Sequence, residues 1–266
     1  MVKLARFPVL AGLVTGLVAG LVTGLAAVST APAQASGARA FNPLTLDGHV
    51  VKWGAPELGT PAHVTYAFAV GPVANINARN CRAMDALDGL AAAAGVGLAR
   101  LRGEARAAFR LWEAASGITF EEVTSVGEAD IVIGSQSAPR GFAFTNVRHA
   151  GEVLRPALIV SGGARGLGKP GSGAREAQDA VAAPRVSRIT EAAVCLNPAH
   201  MWKVGFDGDL GTYDLRYTFA HEIGHAIGLD HHIQDPSIMH FKYSEKFQGL
   251  QPGDVAGVKW LYGSRK

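Results

Sequence analysis

Apolar and polar residues along this chain recur with two periods, one typical of short strands and one of amphipathic helices. The segment HVTYAFAV, residues 63–70, combines β-branched and aromatic residues, which predicts a strand. The same character predicts further short strands at 118–123, 129–134, 141–147, 157–162 and 191–198. Residues 162–185 are rich in Gly, Ala and Pro and predict a surface insertion.

Two stretches have helical spacing instead. Apolar residues at spacings of three and four, from Leu98 to Trp112, predict an amphipathic helix that ends before Gly117. A second helix is predicted from about residue 211, with Thr212 as a candidate cap, to Ile227. Its apolar stripe consists of Leu215, Phe219, Ile223 and Ile227.

The N-terminal region has the pattern of a targeting segment. Lys3 and Arg6 precede a long apolar run that ends in Ala33-Gln34-Ala35, which predicts a signal peptide over residues 1–35 and a secreted or periplasmic protein. Glycines at 12, 16, 20 and 24 leave an uncleaved membrane anchor open as an alternative. Residues 36–62 are then expected to form a lead segment, and 63–266 the main domain.

Composition narrows the class of protein. With 48% hydrophobic and 18% charged residues, a chain of 266 residues can bury a substantial core. A net charge of +3 without clustered basic residues argues against nucleic-acid binding. In an exported chain we expect Cys81 and Cys195 to form a disulfide, and two buried free thiols are the alternative.

Five of the nine histidines lie in HEIGHAIGLDHHIQDPSIMH, residues 221–240. His221 and His225 are four residues apart on the predicted helix, and this spacing lets two imidazoles bind one zinc ion. Both lie away from the apolar stripe of the helix. Glu222, between them in sequence, suits a general base that takes a proton from water.

The continuation of this motif supplies a candidate third ligand. Gly228 can adopt the left-handed conformation that ends a helix, so that the chain returns with His231. Asp230 and His232 are rivals, but His231 has the register of HExxHxxGxxH. Three protein ligands leave one position open, as in catalytic zinc sites.

This motif resembles that of the metzincin zinc endopeptidases, and within them the matrixins. The extended motif is complete from His221 to His231, and Ser237-Ile238-Met239 is similar to the Met-turn beneath the metal. Residues 109–134 and 250–263 are similar to the flanking matrixin elements. The resemblance implies the α+β metzincin fold, with a mixed twisted sheet, an active-site helix and a C-terminal helix.

The resemblance also implies a function, namely that of a secreted endopeptidase with one catalytic zinc that hydrolyses protein or peptide substrates. By analogy, the strand 141–147 is expected to line the cleft and pair with an extended substrate. We expect a monomer that binds neither nucleic acid nor, after signal cleavage, a membrane. The alternatives are a zinc-binding module without turnover and a zinc hydrolase acting on non-peptide amides.

Three features depart from the relatives. His149 and His200 are isolated, so the second zinc site of matrixins has no visible counterpart. Phe241 stands where astacins have a zinc-facing tyrosine. Asp207 and Asp209 offer possible calcium ligands, although a solvated turn is the preferred interpretation.

Overall fold

The computed structural model describes residues 40–75, 78–151, 183–233 and 236–266. The strands are β1 Asn42–Pro43, β2 Thr45–Leu46, β3 His49–Lys52, β4 Ala62–Phe68, β5 Val73–Ala74, β6 Ala83–Asp85, β7 Ile118–Glu122, β8 Ile131–Gln136, β9 Ala143–His149, β10 Val186–Leu196, β11 Trp202–Lys203, β12 Tyr213–Asp214 and β13 Leu229–Asp230. The helices are α1 Asp88–Ala93, α2 Leu98–Ala115, α3 Leu215–Ala226 and α4 Pro252–Tyr262.

The main sheet is mixed, as the α+β interpretation requires. Its path runs β2-β3-β10-β8-β4-β7, while β6 pairs with β8 and β9 pairs with β10. The long strand β10 is parallel to β3 and β8 and antiparallel to β9. Among the described strands β10 is the partner of β9, so the other edge of β9 faces away from the sheet.

The predicted strands at 63–70, 118–123 and 191–198 correspond to β4, β7 and the end of β10. The strand predicted at 129–134 begins two residues later, because Thr65 N of β4 donates to the Asp130 carboxylate and not to a backbone carbonyl of this strand. The strand predicted at 141–147 is also displaced, to Ala143–His149. The strand predicted at 157–162 lies outside the described residues, as does nearly all of the insertion at 162–185.

Both long helices pack through the faces expected from their spacing. Leu101, Phe109 and Trp112 of α2 are buried, and Trp112 Nε1 donates to Ala220 O of α3 at 3.0 Å. The apolar stripe of α3 is fully buried. These contacts fix α3 against the core and leave its opposite face for other chemistry.

The start of α3 differs from the expectation. Asp214, and not Thr212, caps the helix, and its carboxylate accepts a hydrogen bond from Tyr217 N at 2.8 Å. The chain stays extended through Asp214 because β12 pairs with β11, so the first free cap position comes after Thr212. The predicted cap, Thr212, is therefore wrong, and strand pairing places the cap two residues later.

Two side chains from distant parts of the chain close the end of α3. Trp53 Nε1 donates to Ala226 O at 2.9 Å, and the Tyr262 hydroxyl donates to Ile227 O at 2.7 Å. Carbonyls at a helix end lack partners within the helix, so these bonds satisfy groups that burial would otherwise make costly. The segment after β3 and helix α4 therefore both help to hold α3.

No helix in the described part of the chain combines the length and the apolar character needed to cross a bilayer. The predicted signal peptide or anchor, residues 1–35, lies outside that part.

Candidate metal centre

His221, His225 and His231 each direct one ring nitrogen toward a common point. The Nε2 atom of His221 lies 3.2 Å from those of His225 and His231, which are 3.3 Å from each other. A tetrahedral zinc ion with Zn–N bonds of about 2.1 Å holds two ligand nitrogens about 3.4 Å apart. Among the described residues, this triad has the geometry to hold one metal ion.

Hydrogen bonds on the opposite ring nitrogens decide the tautomer of two rings. His221 Nδ1 donates to Ile238 O at 2.7 Å, and His225 Nδ1 donates to Leu229 O at 2.8 Å. A carbonyl can only accept, so each Nδ1 carries the hydrogen and each Nε2 presents a lone pair. Burial lowers the pKa of both rings, which favours these neutral forms. Facing lone pairs repel one another unless a cation lies between them, so this donor set fits a metal.

A sharp reversal after α3 brings the third histidine to the other two. Gly228 has φ +98°, and a Cβ there would overlap the Val51 carbonyl oxygen, so glycine is required. The next residues form β13, which pairs with β1, and Asn42 Nδ2 donates to His231 O at 2.7 Å. Asn42 therefore supports the third candidate ligand, a contact that the motif does not reveal.

The two rival ligands lie elsewhere. His232 is buried, and its backbone N–H donates to Met239 O at 3.0 Å. Asp230 Oδ1 accepts from the backbone N–H of His231 at 2.7 Å. The structure brings His231, rather than Asp230 or His232, to His221 and His225.

The turn at Ser237–Met239 packs under α3. Met239 is buried against Gly224, where a Cβ would overlap the Met239 sulfur. The Asp254 carboxylate of α4 accepts from Ile238 N at 2.9 Å and from the Ser237 hydroxyl. Since Ile238 O accepts from His221 Nδ1, a set of contacts through the turn joins α4 to a candidate metal ligand.

Glu222 lies buried beside the triad. The Thr145 hydroxyl is 2.6 Å from Glu222 Oε2 and 2.9 Å from the Glu222 carbonyl oxygen. Burial raises the pKa of Glu222 to about 7, and the Thr145 hydrogen bond opposes that shift. A carboxyl group with such a pKa can accept and return a proton near neutrality. Sequence reasoning missed Thr145, although it placed the strand 141–147 at the cleft.

Comparison with known proteins agrees with this geometry. A matrixin family model matches residues 172–263. The chain is 27% identical to matrix metalloproteinase-19 of Mus musculus over 170 residues, 63% of this chain and 26% of that protein. It is 30% identical to metalloendoproteinase 1-MMP of Arabidopsis thaliana over 165 residues, 59% of this chain and 36% of that protein. Residues 172–263 of this chain are thus similar to a matrixin domain. The chain spans only about a quarter to a third of the length of these relatives.

The cleft of the matrixin-like domain is a cavity of about 650 Å³ that opens at the triad. Its walls come from β9, from the start of α3 and from the segment after Met239. One wall is an aromatic stack in which Tyr213 lies 4.2 Å from Phe142 and 4.4 Å from Tyr243, between ring centroids. Phe241 lines the same cavity and is 56% exposed.

The remaining histidines of interest have other partners. His149 is hydrogen-bonded to Ser187 at 3.1 Å and to Asp47 at 3.3 Å, and His200 stacks on Phe142 at 4.1 Å. Within the described ranges, neither belongs to a second cluster with metal-ligand geometry.

The turn that contains Asp207 and Asp209 is organised by a lysine. Lys203 Nζ contacts the Asp207 carboxylate, donates to Asp209 O at 2.6 Å and pairs with Glu245 at 2.6 Å. The Tyr243 hydroxyl donates to the same Glu245 at 2.8 Å. A lysine ammonium thus occupies the position in this turn that a bound cation would take.

The expected disulfide is confirmed. Cys81 and Cys195 are bonded, with their Cα atoms 6.4 Å apart, and neither cysteine is free. The bond joins the segment between β5 and β6 to the end of β10, across 114 residues of sequence.

Proposed function

We propose that this protein is a secreted zinc-dependent endopeptidase in which His221, His225 and His231 bind one zinc ion and Glu222 is the general base. One observation carries the proposal: three imidazole nitrogens converge within 3.3 Å of one another, beside a buried carboxyl group, at the opening of a cleft. The sequence similarity to matrix metalloproteinases supports it.

The chemistry divides between the ion and the side chains. Zinc, when bound, supplies Lewis acidity toward water and toward the scissile carbonyl. The Glu222 carboxylate accepts a proton from the attacking water and returns it to the nitrogen of the departing amine. Thr145 holds Glu222 Oε2 through its hydroxyl, which keeps the carboxylate at the cleft side of α3.

The substrate is held by the exposed edge of β9. Backbone groups along Ala143–His149 that do not face β10 can pair with an extended peptide, which aligns the scissile bond with the triad. Such pairing binds the main chain of the substrate and not its side chains, which suits an endopeptidase with many possible substrates.

Two variants test the assignment. Glu222→Gln keeps the side-chain size and the zinc ligands, so zinc content and folding are expected to stay unchanged while cleavage of casein falls by about 10²- to 10⁴-fold. His225→Ala removes a ligand and is expected to lose both zinc and cleavage. Metal analysis and a casein assay, with and without chelator, measure both. A Glu222→Gln protein with normal cleavage would refute the assignment, and an inactive wild type with full zinc content would favour a binding module.

The same proposal sets the metal content at one zinc per chain. Metal analysis of the purified protein measures this directly. Two equivalents of zinc would show that residues outside the described ranges, or outside the triad, form a second site.

Export through a cleaved signal peptide is the third part of the proposal, with 36–62 as a lead segment, 63–266 as the catalytic domain and an insertion near 162–185. The Cys81–Cys195 disulfide fits an oxidising compartment. The intact mass of the exported protein is expected to correspond to a chain that starts at Ser36. A mass that retains residues 1–35 would indicate the anchor instead.

A further inference from the structure

Arg79 lies in the short connection between β5 and β6, which is linked to the sheet beside the cleft by a disulfide and by hydrogen bonds. Cys81, two residues further along the chain, forms the disulfide to Cys195 and has φ +49°, a left-handed conformation that is uncommon for a residue other than glycine. The Asn146 side chain of β9 also accepts from Asn80 N at 3.3 Å and donates to Asn80 O at 2.6 Å. These bonds hold the connection against β9.

Arg79 lies where two cavities meet. A second cavity of about 400 Å³ adjoins the 650 Å³ cleft. Both are lined by Leu46, Arg79, Asn80, Thr145 and Val147. Because these residues are common to both, the two cavities adjoin along them, and together they are called the groove here.

Arg79 brings to this groove a positive charge that has no ion-pair partner among the described residues. Its guanidinium has no hydrogen bond or ion pair with the described residues, and its side chain is exposed. The carboxyl groups that line the two cavities have other partners: Glu191 pairs with Arg148, and Asp47, Glu222 and Asp230 are hydrogen-bonded to His149, Thr145 and the His231 backbone. A guanidinium in a groove is suited to bind a carboxylate, often with two parallel hydrogen bonds.

We propose that Arg79 selects substrates with an acidic side chain on the amino-terminal side of the scissile bond, an inference that rests on the endopeptidase function proposed above. Glu222 meets β9 at Thr145, so the scissile bond lies near that residue. A peptide antiparallel to β9 passes Val147 and Arg79 before it reaches Thr145. An extended peptide advances about 3.3 Å per residue, so the substrate side chain that reaches Arg79 is expected two or three residues before the scissile bond.

The test uses fluorogenic peptides that differ only in Glu, Gln or Lys two and three residues before the cleavage site. Wild-type protein is expected to cleave the Glu peptide with a kcat/KM at least about 3-fold above that of the Gln peptide, and further above that of the Lys peptide. Arg79→Gln is expected to abolish this order and Arg79→Glu to reverse it. The preference is expected to shrink as NaCl is raised, because salt screens exposed charges.

Arg110→Gln is the matched control, since Arg110 is exposed on α2 and does not line the groove. It is expected to keep the wild-type preference. Equal cleavage of all three peptides by active wild-type protein, or an acidic preference confined to the other side of the scissile bond, would overturn the role of Arg79 while leaving the endopeptidase function intact. Failure to cleave casein as well as every peptide would instead refute the endopeptidase function, and this inference with it.

Discussion

At the scale of single residues, Thr145 and Gly228 decide how the histidine motif is used. Thr145 lies far from the motif in sequence, yet its hydroxyl is 2.6 Å from the Glu222 carboxylate. Gly228 lies inside the motif, and its φ of +98° turns the chain toward His231. One residue orients the proposed base, and the other delivers the proposed third ligand.

Thr145→Val is expected to lower kcat for casein-derived peptides by about 10-fold, because Glu222 loses a charge-assisted hydrogen bond that orients it. Zinc content is expected to stay at the wild-type level, since no ligand changes. Thr145→Ser, which keeps the hydroxyl, is expected to restore most of the rate. If the valine variant matches wild type in steady-state kinetics, Thr145 does not position Glu222.

Gly228→Ala is expected to reduce the free energy of unfolding by more than about 2 kcal/mol, because alanine is strained in the left-handed region and its Cβ would overlap the Val51 carbonyl. Urea unfolding of the two proteins measures the difference. Gly103→Ala is a suitable control, since a Cβ at Gly103 of α2 meets no atom within 4 Å. The idea fails if both variants unfold at the wild-type midpoint.

At the scale of elements, α3 is fixed by contacts from several parts of the chain. Asp214 caps its start, Trp112 of α2 binds the Ala220 carbonyl, and Tyr262 of α4 binds the Ile227 carbonyl. Strand β10 has a comparable role in the sheet, because it pairs with β3, β8 and β9. The disulfide then ties the end of β10 to the connection beside the cleft.

Replacement of both cysteines, Cys81→Ala with Cys195→Ala, is expected to lower the free energy of unfolding by about 2 to 4 kcal/mol, since the bond closes a loop of 114 residues. Denaturant unfolding of the double variant, and of wild-type protein with and without reductant, measures this. Wild-type protein unfolded without reductant is expected to show no labelled thiol. An unchanged unfolding midpoint would contradict a stabilising role for the bond.

At the scale of the whole molecule, the candidate metal centre joins segments from both ends of the described domain. Asn42 supports His231, and Asp254 supports the Ile238 carbonyl partner of His221. Helix α3 itself packs on α2 and β9. An ion bound by the three histidines is therefore expected to stabilise the domain as a unit.

Removal of zinc with a chelator is expected to lower Tm by about 5 to 10 °C. A ligand at 100-fold its Kd contributes about 2.7 kcal/mol to the free energy of unfolding, and for a domain of this size each kcal/mol shifts Tm by about 2 to 4 °C. Calorimetry before chelation, after chelation and after zinc is restored measures the shift. His225→Ala is the control and is expected to show no response to chelator. Equal Tm values for wild type in all three states would mean that the triad binds no metal tightly.

The amino-acid sequence by itself determined the features that depend on local geometry. A helix has about 3.6 residues per turn, so the spacing of Phe219, Ile223 and Ile227 predicts its buried face. The spacing of His221 and His225 predicts that both bind the same metal ion. The strand segments and the glycine turn follow from conformational preferences of single residues. The disulfide followed from the number of cysteines and the expected compartment.

Only the tertiary structure decided which distant groups meet. The choice of Asp214 over Thr212 depended on the pairing of β11 with β12, and the strand at 129–134 shifted because Asp130 bonds to Thr65. The contacts of Asn42 with His231 and of Thr145 with Glu222 cross 189 and 77 residues of sequence. Such contacts follow from how sheet and helices pack, and no local periodicity encodes that packing.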